Sequence, residues 1–271
     1  SIRSDARLSF ARIVRSEWIK LTSLRSTVWS LALIVVLGVG LSLMIASLGS
    51  ALGGEQAVAD PNTVLTATTI GDGFGQLIAA VLGVLVISGE YSTGMIKSTL
   101  AAVPGRVSVL VAKSLVLFTL VTAVGFVTVF GSWAATYPIF ESQGAAVSLG
   151  DDGLAVALAG SAVYLGLVAV FAIGLGTLLR STAGGLAAAL GVLLVLDTAV
   201  SLLAIAADWV SDITPYLFSQ AGAAMAQLPF SDNSDQFALG TLEPWQGALV
   251  ALAWTLVAFT LGAIRLKRQD A

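Results

Sequence analysis

The chain has 271 residues, 57% of them hydrophobic and only 11% charged, with a mean hydropathy of +0.94, whereas soluble domains run nearer a quarter charged. It contains neither Cys nor His, which excludes disulfides, thiolate and imidazole metal sites, and every catalytic couple built on those side chains. The net charge of -3, from 13 basic and 16 acidic residues, becomes informative only once each sign is placed along the chain.

Residues 8–25 read as an amphipathic helix lying along a membrane interface. Phe10, Val14, Trp18 and Leu21 fall on one face, opposite Arg12, Ser16 and Lys20. A basic helix with a tryptophan buries its apolar side at headgroup level while its cations meet anionic lipid. Glu17 interrupts the apolar side, and pairing with a neighbouring base would account for it. A solvated leader whose charges only orient the next segment is the other reading.

Apolar runs follow at 28–48, 70–88, 114–133, 154–179, 183–207 and 247–264, each close to the roughly 20 residues that a helix needs to cross a bilayer core of about 30 Å. They are unbroken, so they are not the alternating strands of a membrane barrel. Helices are then the way to satisfy every backbone group in lipid. The first run is too long for a cleaved signal peptide and five more follow it, which reads as a signal anchor.

The basic residues test this count. Arg3, Arg7, Arg12, Arg15, Lys20 and Arg25 precede the first span; Lys97, Arg106 and Lys113 lie between the second and third; Arg180 lies between the fourth and fifth; Arg265, Lys267 and Arg268 follow the sixth. Six spans put all of them on one side. The opposite connections hold acids, among them Glu55, Asp60, Asp151, Asp152, Asp212 and Glu243, and no base. Positive charge stays cytoplasmic during insertion, so both termini are expected inside. The expected fold is all-α: a polytopic membrane protein forming one domain of six transmembrane helices behind an interfacial helix.

The connection at 89–113 is the most informative piece outside the spans. Ser92 or Thr93 can cap a short helix over 95–102, and Pro104-Gly105 stops it. Ile96, Leu100 and Val103 share a face too small to enter lipid. Such a helix suits a groove on a partner protein, and an ordinary loop packed on its own bundle is the alternative. In the fifth span, Gly184, Ala187, Ala188 and Gly191 make a small-residue face that permits close helix approach. Asp197 is the ionisable residue well inside a span. Inserting it costs about 2.5–3.5 kcal/mol, which leaves two readings, a polar contact at a helix interface or a place in a translocation path. The external connection 208–246 carries its own apolar stretch between Pro215 and Pro229. It reads as short helices dipping into the outer leaflet or as a cap resting on the bundle.

No Gly-x-x-x-x-Gly-Lys-[Ser/Thr] occurs, so the chain does not hold ATP by a P-loop. No catalytic residue, bound cofactor, metal site or nucleic-acid partner is expected. A lone intramembrane aspartate and the absence of internal repeats speak against an ion-coupled carrier.

The layout of interfacial helix, six spans, short cytoplasmic helix after the second span and helical external segment before the sixth resembles the membrane subunits of ABC-2 type transporters. Glu90-Tyr91-Ser92-Thr93-Gly94-Met95-Ile96 is similar to the acidic-x-x-x-Gly signature that such permeases carry after the second span, with Met95 where threonine is common. Ser98 to Arg106, Ser-Thr-Leu-x-x-x-Pro-x-Arg, is similar to the continuation in small members. The resemblance implies a half-transporter in a bacterial cell membrane, paired with a second copy or a homologous permease. It implies two ATP-binding subunits that hold ATP and Mg. Glu90, Tyr91, Gly94, Met95, Ile96, Lys97, Leu100 and Arg106 would form the coupling segment seated in that ATPase, with the helix at 8–25 beside it. Asp197 is the candidate for the path. Drug, antibiotic, peptide or lipid-like export, including resistance, is the implied role. The acidic external face would also concentrate cations, which suits a cationic amphipathic substrate, although positive-inside selection alone produces the same face.

Overall fold

The computed structural model describes residues 9–52, 61–92, 106–144, 146–150, 153–228 and 242–268. Their regular structure is entirely helical. Helix α1 (Phe10–Ser23) ends at Leu24, whose extended backbone turns the chain into α2 (Arg25–Leu52). Helix α3 (Pro61–Thr69) opens on a proline, which suits a first helical position because its missing N–H would lack a helical partner there. A turn at Ile70 and Gly71 leads into α4 (Asp72–Ser92), with Asp72 in its first turn, where the helix dipole favours an acid. Helices α5 (Arg106–Ser142) and α6 (Leu154–Leu179) are followed by α7 (Thr182–Leu190), capped by Ser181, whose hydroxyl accepts from the Gly184 amide at 3.2 Å. Its path widens into a π-helical segment, Gly191–Leu196, and continues as α8 (Asp197–Ala204). Helix α9 (Asp208–Ser211), a 3-10 turn (Thr214–Tyr216), α10 (Phe218–Met225) and α11 (Pro244–Arg268) complete the order.

Six of these helical segments are long and apolar enough to cross a membrane: α2, α3 with α4, α5, α6, α7 with α8, and α11. All six apolar runs of the sequence fall on them. Some helices overrun their runs, because backbone hydrogen bonding continues past the point where the side chains turn polar: 28–48 is the centre of the 28-residue α2, and 114–133 the centre of the 37-residue α5. The fifth run, 183–207, instead outlasts its helix, which ends at Ala204.

Helix α6 is the hub. It is apolar on every side, the pattern of a helix surrounded by protein, and α4, α5 and α11 pack around it. Leu158, Leu165, Val168, Ala172 and Ile173 are fully buried. In its most apolar stretch 72% is buried, against 11% in the fifth span, whose Val195, Leu202 and Leu203 face outward. Contact between α6 and α11 is backbone to backbone: a Cβ on Gly174 would stand 2.6 Å from the Ala258 carbonyl carbon, and one on Gly262 would stand 2.7 Å from the Gly174 oxygen. Small residues are what let two helices approach this closely.

The described part of the 208–246 connection packs on the bundle. Helix α10 packs against α6 and α11, with Phe218 buried against Phe171 (4.5 Å between ring centres) and Tyr164 (5.5 Å). Trp254 donates to the Tyr216 carbonyl at 2.9 Å. Phe218, Ala221, Gly222, Ala224 and Met225 of this helix are buried by these contacts.

Candidate functional site

The basic residues among the described ones gather at the end of the bundle where α4 and α6 finish and α5 begins. Helix α1 lies across that end. Its buried stripe is Ile13, Glu17 and Leu21, spaced by four, with Ile13 against Val109 and Ala112 of α5 and Leu21 in the main core. An acid in such a stripe needs a cation. Lys113 of α5, 1% exposed, supplies it, its Nζ 2.6 Å from Glu17 Oε2 and 2.9 Å from Glu90 Oε1 in the last turn of α4. Lys20 of α1 also pairs with Glu90.

Two lysines and two glutamates thus balance in a node that ties three helices together. An acid in a last turn opposes the helix dipole, so Glu90 is held there by its two cations. The chain order matters as much as the charges. Glu90 stands just before residues 93–105 and Lys113 just after the start of α5, so both flanks of that connection are pinned to α1. A second tie extends the set. Arg180, with its backbone in the left-handed region at φ 54°, lays its guanidinium over the Tyr91 ring (5.7 Å to the centre) and donates to the Arg265 carbonyl at 3.3 Å. That links the ends of α4, α6 and α11.

Of the residues expected in the coupling segment, Glu90 and Tyr91 have the contacts just described. Gly94, Met95, Ile96, Lys97 and Leu100 lie outside the described residues, and Arg106 opens α5. On α1, Leu21 and the half-buried Val14 face the bundle, whereas Phe10 (45% exposed) and Trp18 (42%) face away from it. Asp197 follows the π-helical segment and accepts from Gln220 Nε2 of α10 at 3.0 Å, a polar contact between helices. Lys113 is the residue that sequence reasoning counted only as a charge. Glu17 on an apolar stripe was the signal that a buried base had to exist.

At the opposite end, α3, α4, α6 and α10 line an open cavity of about 430 Å³. Ser161 donates to the Asp72 carboxylate and Tyr164 donates to Gln76 Oε1 at 3.0 Å across its wall. No sequence motif announces it, because its residues come from four separate helices.

The chain matches one family model, described as ABC-2 family transporter protein, over residues 11–271. Comparison with curated proteins returns no match.

Proposed function

From the premise that the chain belongs to the ABC-2 transporter family, and so forms the membrane component of an ABC transporter, we propose that it is the permease half of an ATP-driven exporter. The observation that carries this reading is the buried node of Glu17, Lys20, Glu90 and Lys113. It brackets the connection between the second and third spans and joins it to three helices. A force applied to that connection reaches α1, α4 and α5 together, and the tie at Arg180 passes it to α6 and α11.

In this reading a separate ATP-binding subunit, which holds ATP and Mg, seats Gly94, Met95, Ile96, Lys97 and Leu100 in a groove, with Glu90, Tyr91 and Arg106 at the margins. Closure of two such subunits on ATP pushes the segments of two permeases together and biases the bundle between two states. The second permease is another copy or a homologue, and the outward-facing fifth span is available to it or to lipid. Phe10 and Trp18 meet the membrane surface. Both termini lie in the cytoplasm of a bacterial cell, and the cargo is a drug, antibiotic, peptide or lipid-like compound moved outward.

Co-purification tests the docking. The ATPase encoded with this permease is expected to be recovered with it, and Ile96→Glu or Leu100→Glu to cut that recovery at least tenfold while the permease itself remains monodisperse. Transport that persists with no ATPase present would point instead to a carrier or channel acting alone. Orientation has its own test. With no native cysteine, Lys97→Cys is expected to react with a membrane-impermeant maleimide only after cells are opened, and Asp212→Cys to react in intact cells. Labelling of Lys97→Cys from outside would invert the proposed topology.

A further inference from the structure

The cavity at the non-basic end has an unusual charge balance. Asp72, in the first turn of α4, lines it and is bonded to a neutral partner, Ser161. Asp197 of α8 is bonded to the neutral Gln220 of α10, the helix whose Ser219, Gly222 and Ala223 line the cavity. Neither carboxylate can find a base there, because residues 26–96, 114–179 and 181–264, which supply every helix around the cavity, contain no Lys or Arg. All the salt bridges among the described residues are at the other end. A half-buried carboxylate without a countercharge carries part of the cost of a buried charge, and a bound cation removes it.

The hydroxyls add directionality. Ser161 spends its hydrogen on Asp72, Tyr164 on Gln76, Thr69 on the Leu65 carbonyl at 2.9 Å, and Ser219 on the Leu193 carbonyl at 3.1 Å. Each hydroxyl oxygen keeps lone pairs, so these four groups offer acceptance and no free donor. The amides of Asn62, Gln76 and Gln227 also line the cavity and can donate as well as accept, so it is Asp72, with no base beside it, that makes this wall suit a cation. A bare metal ion does not fit: the described residues include no group of three or more acidic side chains that could hold one, and about 430 Å³ lies in the range of organic-ligand pockets.

We propose that this cavity binds a primary ammonium group carried on a small organic body, with Asp72 as its countercharge. The proposal deepens the export reading by giving the cargo a chemical class. The same group could also be offered by an ethanolamine lipid headgroup, and the experiment separates the two sources.

The full chain is reconstituted in phosphatidylglycerol nanodiscs without ATP or ATPase and titrated with phenethylammonium, following ligand line broadening by NMR. Saturable binding is expected, at least tenfold tighter than that of the uncharged phenethyl alcohol. Asp72→Asn, which keeps the side-chain shape and an acceptor for Ser161, should weaken it at least tenfold; Asp212→Asn, at an exposed acid of the same end, should change it less than twofold. Thr66→Lys, at an exposed position on the rim of the cavity, places a tethered ammonium at the mouth and should block the probe while the fold is retained. Weaker apparent affinity in phosphatidylethanolamine nanodiscs would identify a lipid headgroup as the resident amine, and unchanged affinity a free one. Equal binding of amine and alcohol, no saturation, or full binding by either Asp72→Asn or Thr66→Lys would overturn the proposal. Because no ATPase is present, that failure would leave ATP-driven export standing, and loss of ATPase dependence would leave the binding result standing.

Discussion

Replacing Lys113 by methionine is expected to remove about 3–5 kcal/mol of stability, the cost of breaking a buried ion pair by deleting one partner. The side chain it removes is 1% exposed and touches two carboxylates that are themselves nearly inaccessible. In its absence Glu17 has no remaining cation at bonding distance among the described residues, and Glu90 keeps only Lys20. The loss is a large share of the 5–15 kcal/mol that holds typical domains together, and denaturant unfolding of the purified permease in detergent would register it.

A companion variant separates charge from packing. Changing Glu17, Glu90 and Lys113 together to methionine removes every member at the centre of the node while keeping similar volume. Lys20, 28% exposed, can turn its ammonium to water. The triple variant is expected to regain stability to within about 1 kcal/mol of the parent or to exceed it, since apolar replacements of whole buried ion clusters are often neutral or stabilising. A Lys113→Met protein as stable as the parent would show that the two carboxylates do not depend on this lysine.

Gly174→Leu is the second substitution with a severe expected effect. At most core positions an added side chain finds a rotamer and costs about 1–3 kcal/mol. Here the obstacle is main chain: the first added carbon already meets the Ala258 carbonyl carbon at 2.6 Å and the Phe259 nitrogen at 2.7 Å. Only separation of α6 from α11 makes room, and that opens the hub of the bundle along the helix that carries Trp254 and Ala258. Recovery as a monodisperse peak is expected to fall to about a tenth of the parent, with Gly174→Ala intermediate. Gly40→Ala, where nothing lies within 4 Å, serves as the control and should be neutral or slightly stabilising, because alanine favours a helix over glycine by up to about 1 kcal/mol. Normal recovery of Gly174→Leu would mean that the two helices do not touch as described.

The spans were legible in the sequence because each is one contiguous apolar run, and the one-sided distribution of Lys and Arg fixed their count. Helix ends were less so. Hydropathy registers only the lipid-like centre, whereas α5 runs the full length from Arg106 to Ser142. The node was illegible for a different reason: its bonds join residues 96, 23 and 70 positions apart, and no local pattern reports a contact of that range. Even the face of α1 had two solutions. Phe10, Val14, Trp18 and Leu21 make an apolar side for a helix resting on lipid; the structure also gives the helix a protein-facing side through Ile13, Glu17 and Leu21. The cavity acceptors come from α3, α4, α6 and α10, so only the assembled bundle brings them together.

Mobile ions in the surrounding solution weaken attractions between exposed charges over a Debye length of about 8 Å at physiological ionic strength. Lys113 is shut away from that solution. The Lys113 tether between α1 and the bundle is therefore insensitive to the ionic strength of the medium around it, so concentrated electrolyte leaves this joint as tight as it is in dilute medium.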